Sequence, residues 1–335
     1  MLLLLGLSPR APPCHRRTPS PAMRSPPPSP VIALDLDGVL VDSQAERLRS
    51  AWRTARALWP DAFDGIADVV AQPWRGGARR AWAGGEWGPL QGVGAEGLPN
   101  WLDAKLRRVW PVVGGSSDAV LLMRLCADEA AAAIKTDNGA RPLSVGEIAT
   151  NWDDELREVL LSRYGLPREE LLRRYDQVRT EWLENDLDGW VEAHSFHSDA
   201  VAALRALVAE EKGTVYALSS EHARYVTPLL RQVGVELEPS LIIQLDEDEQ
   251  KGDALHQLRE RHPQEQLVVV DDNAAALRNI AADRRLFGAQ LWFAAWGYST
   301  PQQQALVATM PRVRTLGSAS SLHEVFGTAS DNADR

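Results

Sequence analysis

The chain of 335 residues is short of cysteine and lysine and has no long apolar run, and each shortage narrows its class. With only Cys14 and Cys126 there is no disulfide framework, and a reducing compartment fits. No run approaches the ~20 apolar residues that cross a bilayer, so a soluble, cytoplasmic protein with no membrane contact is expected. The net charge of -10 and pI near 5.3 leave no basic excess for nucleic acid or an anionic membrane surface. An anionic substrate would therefore depend on local cations or a metal. The oligomeric state stays open.

Acidic residues are absent from residues 1–30, which carry nine prolines and four arginines. Such a segment buries too little apolar surface to offset chain entropy and reads as a disordered tail. Its opening MLLLLGL is too short for a secretory core and has no basic residue ahead of it. The alternatives are a start at Met23 and an organelle transit peptide, for instance to a plastid.

What is present is organised around Val31 to Ser43, VIALDLDGVLVDS. An apolar run followed at once by turn residues reads as a short strand buried on both faces, expected to end near Asp37. Ser43 and Glu46 have the spacing of a capping box opening a helix. Asp35 and Asp37 lean the same way along the strand, with α-carbons about 7 Å apart, and are delivered to the carboxyl edge of a sheet, where ligands collect.

From Gln44 to about His194 the apolar spacing is helical, with no convincing strand pair. Ten of the twelve tryptophans lie there, a density expected of helix-to-helix packing. Arg75 to Pro99 is glycine-rich and reads as a long loop. Its GVGAEG, Gly92 to Gly97, matches a dinucleotide-binding pattern in letters only, because no strand precedes it.

From Ser198 on, apolar runs (Val215 to Ser219, Leu241 to Leu245, Leu267 to Asp271, Gln290 to Trp296) alternate with helical segments near 199–211, 222–233, 252–262 and 273–284. That alternation means a parallel sheet covered on both faces, which Val31 to Leu36 must join. The expected architecture is a doubly wound, Rossmann-like α/β core of 31–43 plus 195–326. It is interrupted by a helical domain over 44–194, and the tail over 327–335 should fray.

The run ends carry polar groups. Ser219 puts a hydroxyl at the sheet edge, and Ser220 with the following helix start adds donors that favour an anion. Lys251 follows Asp246-Glu247-Asp248-Glu249; of 36 basic residues only Lys105, Lys135, Lys212 and Lys251 are lysines, so it departs from the chain's habit. A compact ammonium fits between a carboxylate and a phosphoryl oxygen where a guanidinium is too broad. Asp271 and Asp272 close a β-branched run and would be costly in a dry site without a hard cation.

Taken in order, DLDGVLVDS, Ser219, Lys251 and Asp271-Asp272 resemble the four signatures of the haloacid dehalogenase superfamily. The resemblance covers Val31 to Ser43 and Phe196 to Phe326. It implies that Asp35 is a nucleophile, that Asp37 is a general acid and base, and that Ser219 and Lys251 bind the phosphoryl group. It also implies a magnesium ion on the Asp35 carboxylate, the Asp37 carbonyl and one of the paired acids, Asp272 ahead of Asp271. The fourth signature departs from the commoner form, since Ala275 and Ala276 stand where a further acid is usual. The implied activity is a phosphatase acting on a small phosphorylated metabolite through an aspartyl-phosphate, with the inserted helical domain as cap. A phosphosugar mutase, a phosphonate hydrolase and a non-catalytic binding protein are the alternatives. The protonated form of Asp37 is expected to be favoured by crowding from Asp35, Asp271 and Asp272.

Overall fold

The computed structural model describes residues 29–64, 92–112, 117–135, 142–245 and 251–331. Residues 1–28 of the tail, Arg75 to Gln91 of the glycine-rich span, the acidic residues 246–249 with Gln250, and the last four residues lie outside the described residues.

Six parallel strands form one sheet: β1 (Val31–Asp35), β4 (Thr214–Ser219), β5 (Ile242–Gln244), β6 (Leu267–Asp271), β7 (Gln290–Ala294) and β8 (Val313–Leu316). Their order is β5-β4-β1-β6-β7-β8. The chain thus builds outward on one side of β1, then crosses to build outward on the other, and the order reverses between β1 and β6. Alternation within each strand feeds two apolar layers. Ile32, Leu34, Val215, Ala217, Val268 and Val270 enter one, beneath helices Ser198–Ala209, Ala223–Gln232 and Leu322–Asp331. Val31, Ala33, Leu218, Leu267, Val269 and Phe293 enter the other, beneath Lys251–Arg261 and Ala274–Ala282. The fold is therefore α/β and doubly wound.

Two local expectations are corrected. The first strand stops at Asp35, and Asp37 makes only an isolated bridge to Val41. Gly38 turns the chain there at φ +83°, a left-handed conformation that glycine adopts without strain. Ser43 makes no side-chain cap bond to helix α1 (Gln44–Leu58); the Gln44 amide donates instead to Asp42 Oδ1, 2.9 Å. Glu46 has another use, described below. The last helix is Leu322–Asp331, and the edge strand β8 was not anticipated.

A two-residue ribbon, β2 (Val41–Asp42) against β3 (Ser195–Phe196), joins the two ends of the intervening segment. Apart from a Val93–Pro99 bridge, the regular elements described between them are helical. These helices enclose their own apolar cluster, which includes Trp52, Trp101, Trp110, Trp152, Leu121 and Met123. The GVGAEG stretch ends in an exposed 3-10 turn, Ala95–Gly97, and takes no part in the six-stranded sheet.

Candidate active site

The strand order places the candidate residues. Asp35 ends β1 and Asp271 ends β6, on either side of the point where the order reverses, and Ser219 ends β4 beside them. Lys251, the first residue of its helix, reaches across this edge. Its Nζ donates to Asp35 Oδ2 (2.9 Å) and to Asp271 Oδ2 (2.6 Å). Asp35, Asp271 and Asp272 each turn a carboxylate oxygen to a common point, these atoms lying within 4.8 Å of one another.

Backbone amides hold the carboxylates still. Leu36 N–H donates to Asp35 Oδ1 (3.0 Å), Asn273 N–H to Asp271 Oδ1 (2.8 Å) and Tyr298 N–H to Asp272 Oδ2 (2.6 Å). Two glycines leave space for Asp272. A Cβ at Gly38 would stand 2.1 Å from Asp272 Oδ2, and one at Gly297 2.4 Å from the same oxygen.

Three carboxylates, Asp271 and Asp272 buried and Asp35 partly so, face one ammonium, an excess of two negative charges if all ionise. Burial pushes Asp35 up to about 7, with Asp271 adding to the rise and Lys251 opposing it. Burial raises Asp272 well above the usual carboxylate range, and Asp35 and Asp271 add to it. Burial would by itself lower Lys251, but Asp271 and Asp35 outweigh it and hold the amine well above its ordinary value. The donor set, all hard oxygen and two charges short of neutrality, fits a divalent cation such as magnesium.

The Asp37 side chain has partners of its own. Its carboxylate is not among the oxygens that converge with Asp35, Asp271 and Asp272. It is instead gripped by Arg47 Nη2 (2.6 Å to Oδ2) and approached by the Tyr298 hydroxyl (3.2 Å to Oδ1). Arg47 also meets Glu221 at 2.9 Å, and Glu221 in turn binds Arg179. Arg179 forms a two-bond pair with the fully buried Glu46, Nε to Oε1 and Nη2 to Oε2, both 2.9 Å. The Glu46 that was expected to cap a helix thus anchors a buried ion chain linking α1 and helix Arg168–Asn185 to the loop after β4. Ser219 Oγ is taken by the Glu221 amide, 3.0 Å, while Ser220 is exposed.

No family model and no curated protein matches the chain. Among solved structures it resembles a predicted phosphoglycolate phosphatase from Haemophilus somnus 129PT, with a TM-score of 0.42 and 15% identity over 89% of this chain and 97% of that one.

Reading the sequence missed Arg47, Arg179, Glu221 and Tyr298. The signal for Tyr298 was local: Trp296-Gly297-Tyr298 directly follows an apolar strand, at the edge where ligands collect. The arginines gave none, since 32 of them are spread through the chain. A cavity of about 600 Å³ opens at the opposite edge, beside Thr214 and Ile242 at the starts of β4 and β5, and none of these residues lines it. Among the described residues no helix is long and apolar enough to cross a membrane.

The charge excess has a measurable consequence. The folded chain binds the Asp35 proton more tightly than the unfolded chain does, since its value rises from 3.8 to about 7. Asp35 therefore costs the metal-free protein stability increasingly as pH rises through that window. Magnesium should relieve this cost. At a hundredfold excess over Kd it should add about 2.7 kcal/mol, some 5 °C in Tm, near pH 8, and distinctly less near pH 5. Thermal unfolding scans check this, and an equal rise at both pH values would count against the carboxylates as the site.

Proposed function

We propose that the protein is a magnesium-dependent phosphohydrolase acting on a small phosphorylated metabolite through an aspartyl-phosphate on Asp35. The observation that carries this reading is Lys251 bridging Asp35 and Asp271 beside Asp272, where the strand order reverses. Three further features agree with it. The signatures occur in the order the haloacid dehalogenase resemblance implies, their residues meet at one sheet edge, and the helical segment inserted after β2 has the position of a cap.

Asp35, Asp271 and Asp272, with the Asp37 carbonyl, would hold the magnesium ion. When bound, it would neutralise carboxylate charge and act as a Lewis acid on a phosphoryl oxygen. Asp35 attacks phosphorus with a carboxylate oxygen as the bond to the leaving oxygen breaks. The bonding pair stays on the leaving oxygen, which takes a proton from the Asp37 carboxyl. In the second half, water attacks the phosphorus of the aspartyl-phosphate, Asp37 takes the water's proton, and Asp35 is regenerated with release of phosphate. Lys251 offsets the charge shared between Asp35 and the phosphoryl oxygens, and the Ser219 hydroxyl supplies a further donor.

The insert excludes water from this edge, which strengthens every charge interaction inside. It also selects the substrate, so a screen of phosphorylated metabolites follows from the same reading. The direct test is phosphate release from 4-nitrophenyl phosphate with magnesium, then with excess chelator, then with magnesium restored. Activity should appear, vanish and return. Full turnover in chelator would remove the metal from the reading, and no release from any phosphate ester would remove the enzyme.

A further inference from the structure

Tyr298 touches both halves of the candidate site. Its backbone N–H donates to Asp272 Oδ2 at 2.6 Å, while its hydroxyl lies 3.2 Å from Asp37 Oδ1. The same hydroxyl lies 2.8 Å from Asp42 Oδ1 and receives the Ser43 N–H at 2.8 Å.

A phenol carries one proton and can accept through its remaining lone pairs. The Ser43 amide fills one acceptor position, and the nearer carboxylate, Asp42, takes the hydroxyl proton. The hydroxyl is thereby oriented, and its remaining lone pair faces Asp37 Oδ1, from which it accepts when Asp37 carries its proton. The ring is fixed as well: Trp110 meets its edge, centroids 6.2 Å apart at 74°. The loop carrying the ring is pinned by Trp296 Nε1, which donates to Val39 O at 3.1 Å. Gly297 lets the loop pass directly over Asp272, where a Cβ would collide.

One oxygen of Asp37 thus rests against an immobile hydroxyl while Arg47 grips the other. Arg47 belongs to the helical insert and shares its charge with Glu221. Tyr298 belongs to the core, and a single residue sets the spacing between Asp37 and the carboxylate cluster.

We propose that Tyr298 is a positioning residue for Asp37, holding its carboxyl at a set distance from Asp272 so that it faces the leaving oxygen. The proposal rests on the phosphohydrolase reading. It assigns Tyr298 no contact with the phosphoryl group and no bond of its own to make or break.

Leaving groups that need a proton should feel the loss of Tyr298, and those that leave without one much less. The experiment compares kcat for a simple alkyl phosphate and for 4-nitrophenyl phosphate, in wild type and Tyr298→Phe, with magnesium present. General acid catalysis contributes about 10²- to 10⁴-fold, so losing the positioning should lower kcat for the alkyl ester by about 10- to 100-fold. That fall should exceed the fall for the aryl ester by at least about tenfold, with KM for both within about threefold of wild type. The magnesium-dependent rise in Tm should persist, because the backbone amide that holds Asp272 remains.

Equal loss on both esters would mean a merely structural role and overturn the proposal, as would no loss on either. A wild type inactive on both esters would defeat the phosphohydrolase reading and this proposal with it, whereas an active wild type without the split defeats the proposal alone. If Tyr298→Phe fails to fold, Asp42→Asn leaves the tyrosine in place and loosens its hydroxyl by replacing a carboxylate acceptor with an amide. It should give the same split at smaller amplitude, and its absence there would overturn the proposal equally.

Discussion

Asp35→Asn is expected to remove turnover while leaving the metal-free protein as stable as the wild type or more so. An amide is no nucleophile, and loss of a nucleophile from a catalytic set lowers kcat by on the order of 10⁴-fold or more. Stability should move the other way because the charge on Asp35 is costly. Burial and Asp271 push its proton affinity up despite Lys251, so the ionised form strains the folded state near neutral pH. The amide fills the same space without that charge, and Lys251 keeps its 2.6 Å contact with Asp271. If Asp35 is the nucleophile proposed above, its cost in stability is a trade between function and folding. Steady-state kinetics and thermal scans in chelator check both halves. Turnover within tenfold of wild type would show that the nucleophile lies elsewhere, and a much lower Tm would show that the Asp35 charge supports the fold.

Arg179→Met should produce the largest loss of stability. The guanidinium is buried, stacks over the Tyr225 ring at 4.3 Å, and is the bidentate partner of Glu46, which has no exposed surface. Removing it leaves Glu46 charged, buried and answered mainly by Ser50 Oγ (2.8 Å) and Trp190 Nε1 (3.2 Å). Breaking one side of a buried pair costs about 3–5 kcal/mol, far above the ~1 kcal/mol or less of an exposed pair. The sign with pH is fixed by Glu46. Burial alone would raise it, but Arg179 outweighs burial and holds it below the ordinary carboxylate value. In the wild type its contribution is therefore present above the ordinary value and lost as pH falls through the depressed one. In Arg179→Met the main opposition to burial is gone, and part of the lost stability should return as the solution is acidified and Glu46 protonates. Urea unfolding near pH 7 and near pH 5 measures this, with Glu46→Gln/Arg179→Met expected to recover part of the loss at neutral pH. A loss below about 1 kcal/mol would mean that the ion chain does not tie the insert to the core.

The legible parts of this protein have a common physical character. β4 and β6 were readable within a residue because each is a short apolar run buried on both faces. Strand β8 was not, because Arg314 and Thr315 are exposed on an edge strand of four residues and interrupt the apolar signal. The acids at the ends of β1 and β6 could be picked out as a group because apolar strands deliver them to one edge. Their partners could not. Tyr298 stands 261 positions from Asp37, and Arg179 stands 133 from Glu46.

The sequence by itself determined the alternation of apolar runs and helical segments, hence a doubly wound sheet with a helical insertion, and the residue types gathered at its carboxyl edge. These follow from periodicity and burial, which are local properties of the chain. The tertiary structure alone decided which charges meet. It paired Lys251 with Asp35 and Asp271, gave the Asp37 carboxylate Arg47 and Tyr298 as partners, and turned Glu46 from a capping position into a buried ion pair. Electrostatic pairing depends on distance and burial in space, and those are set only once segments hundreds of residues apart have packed together.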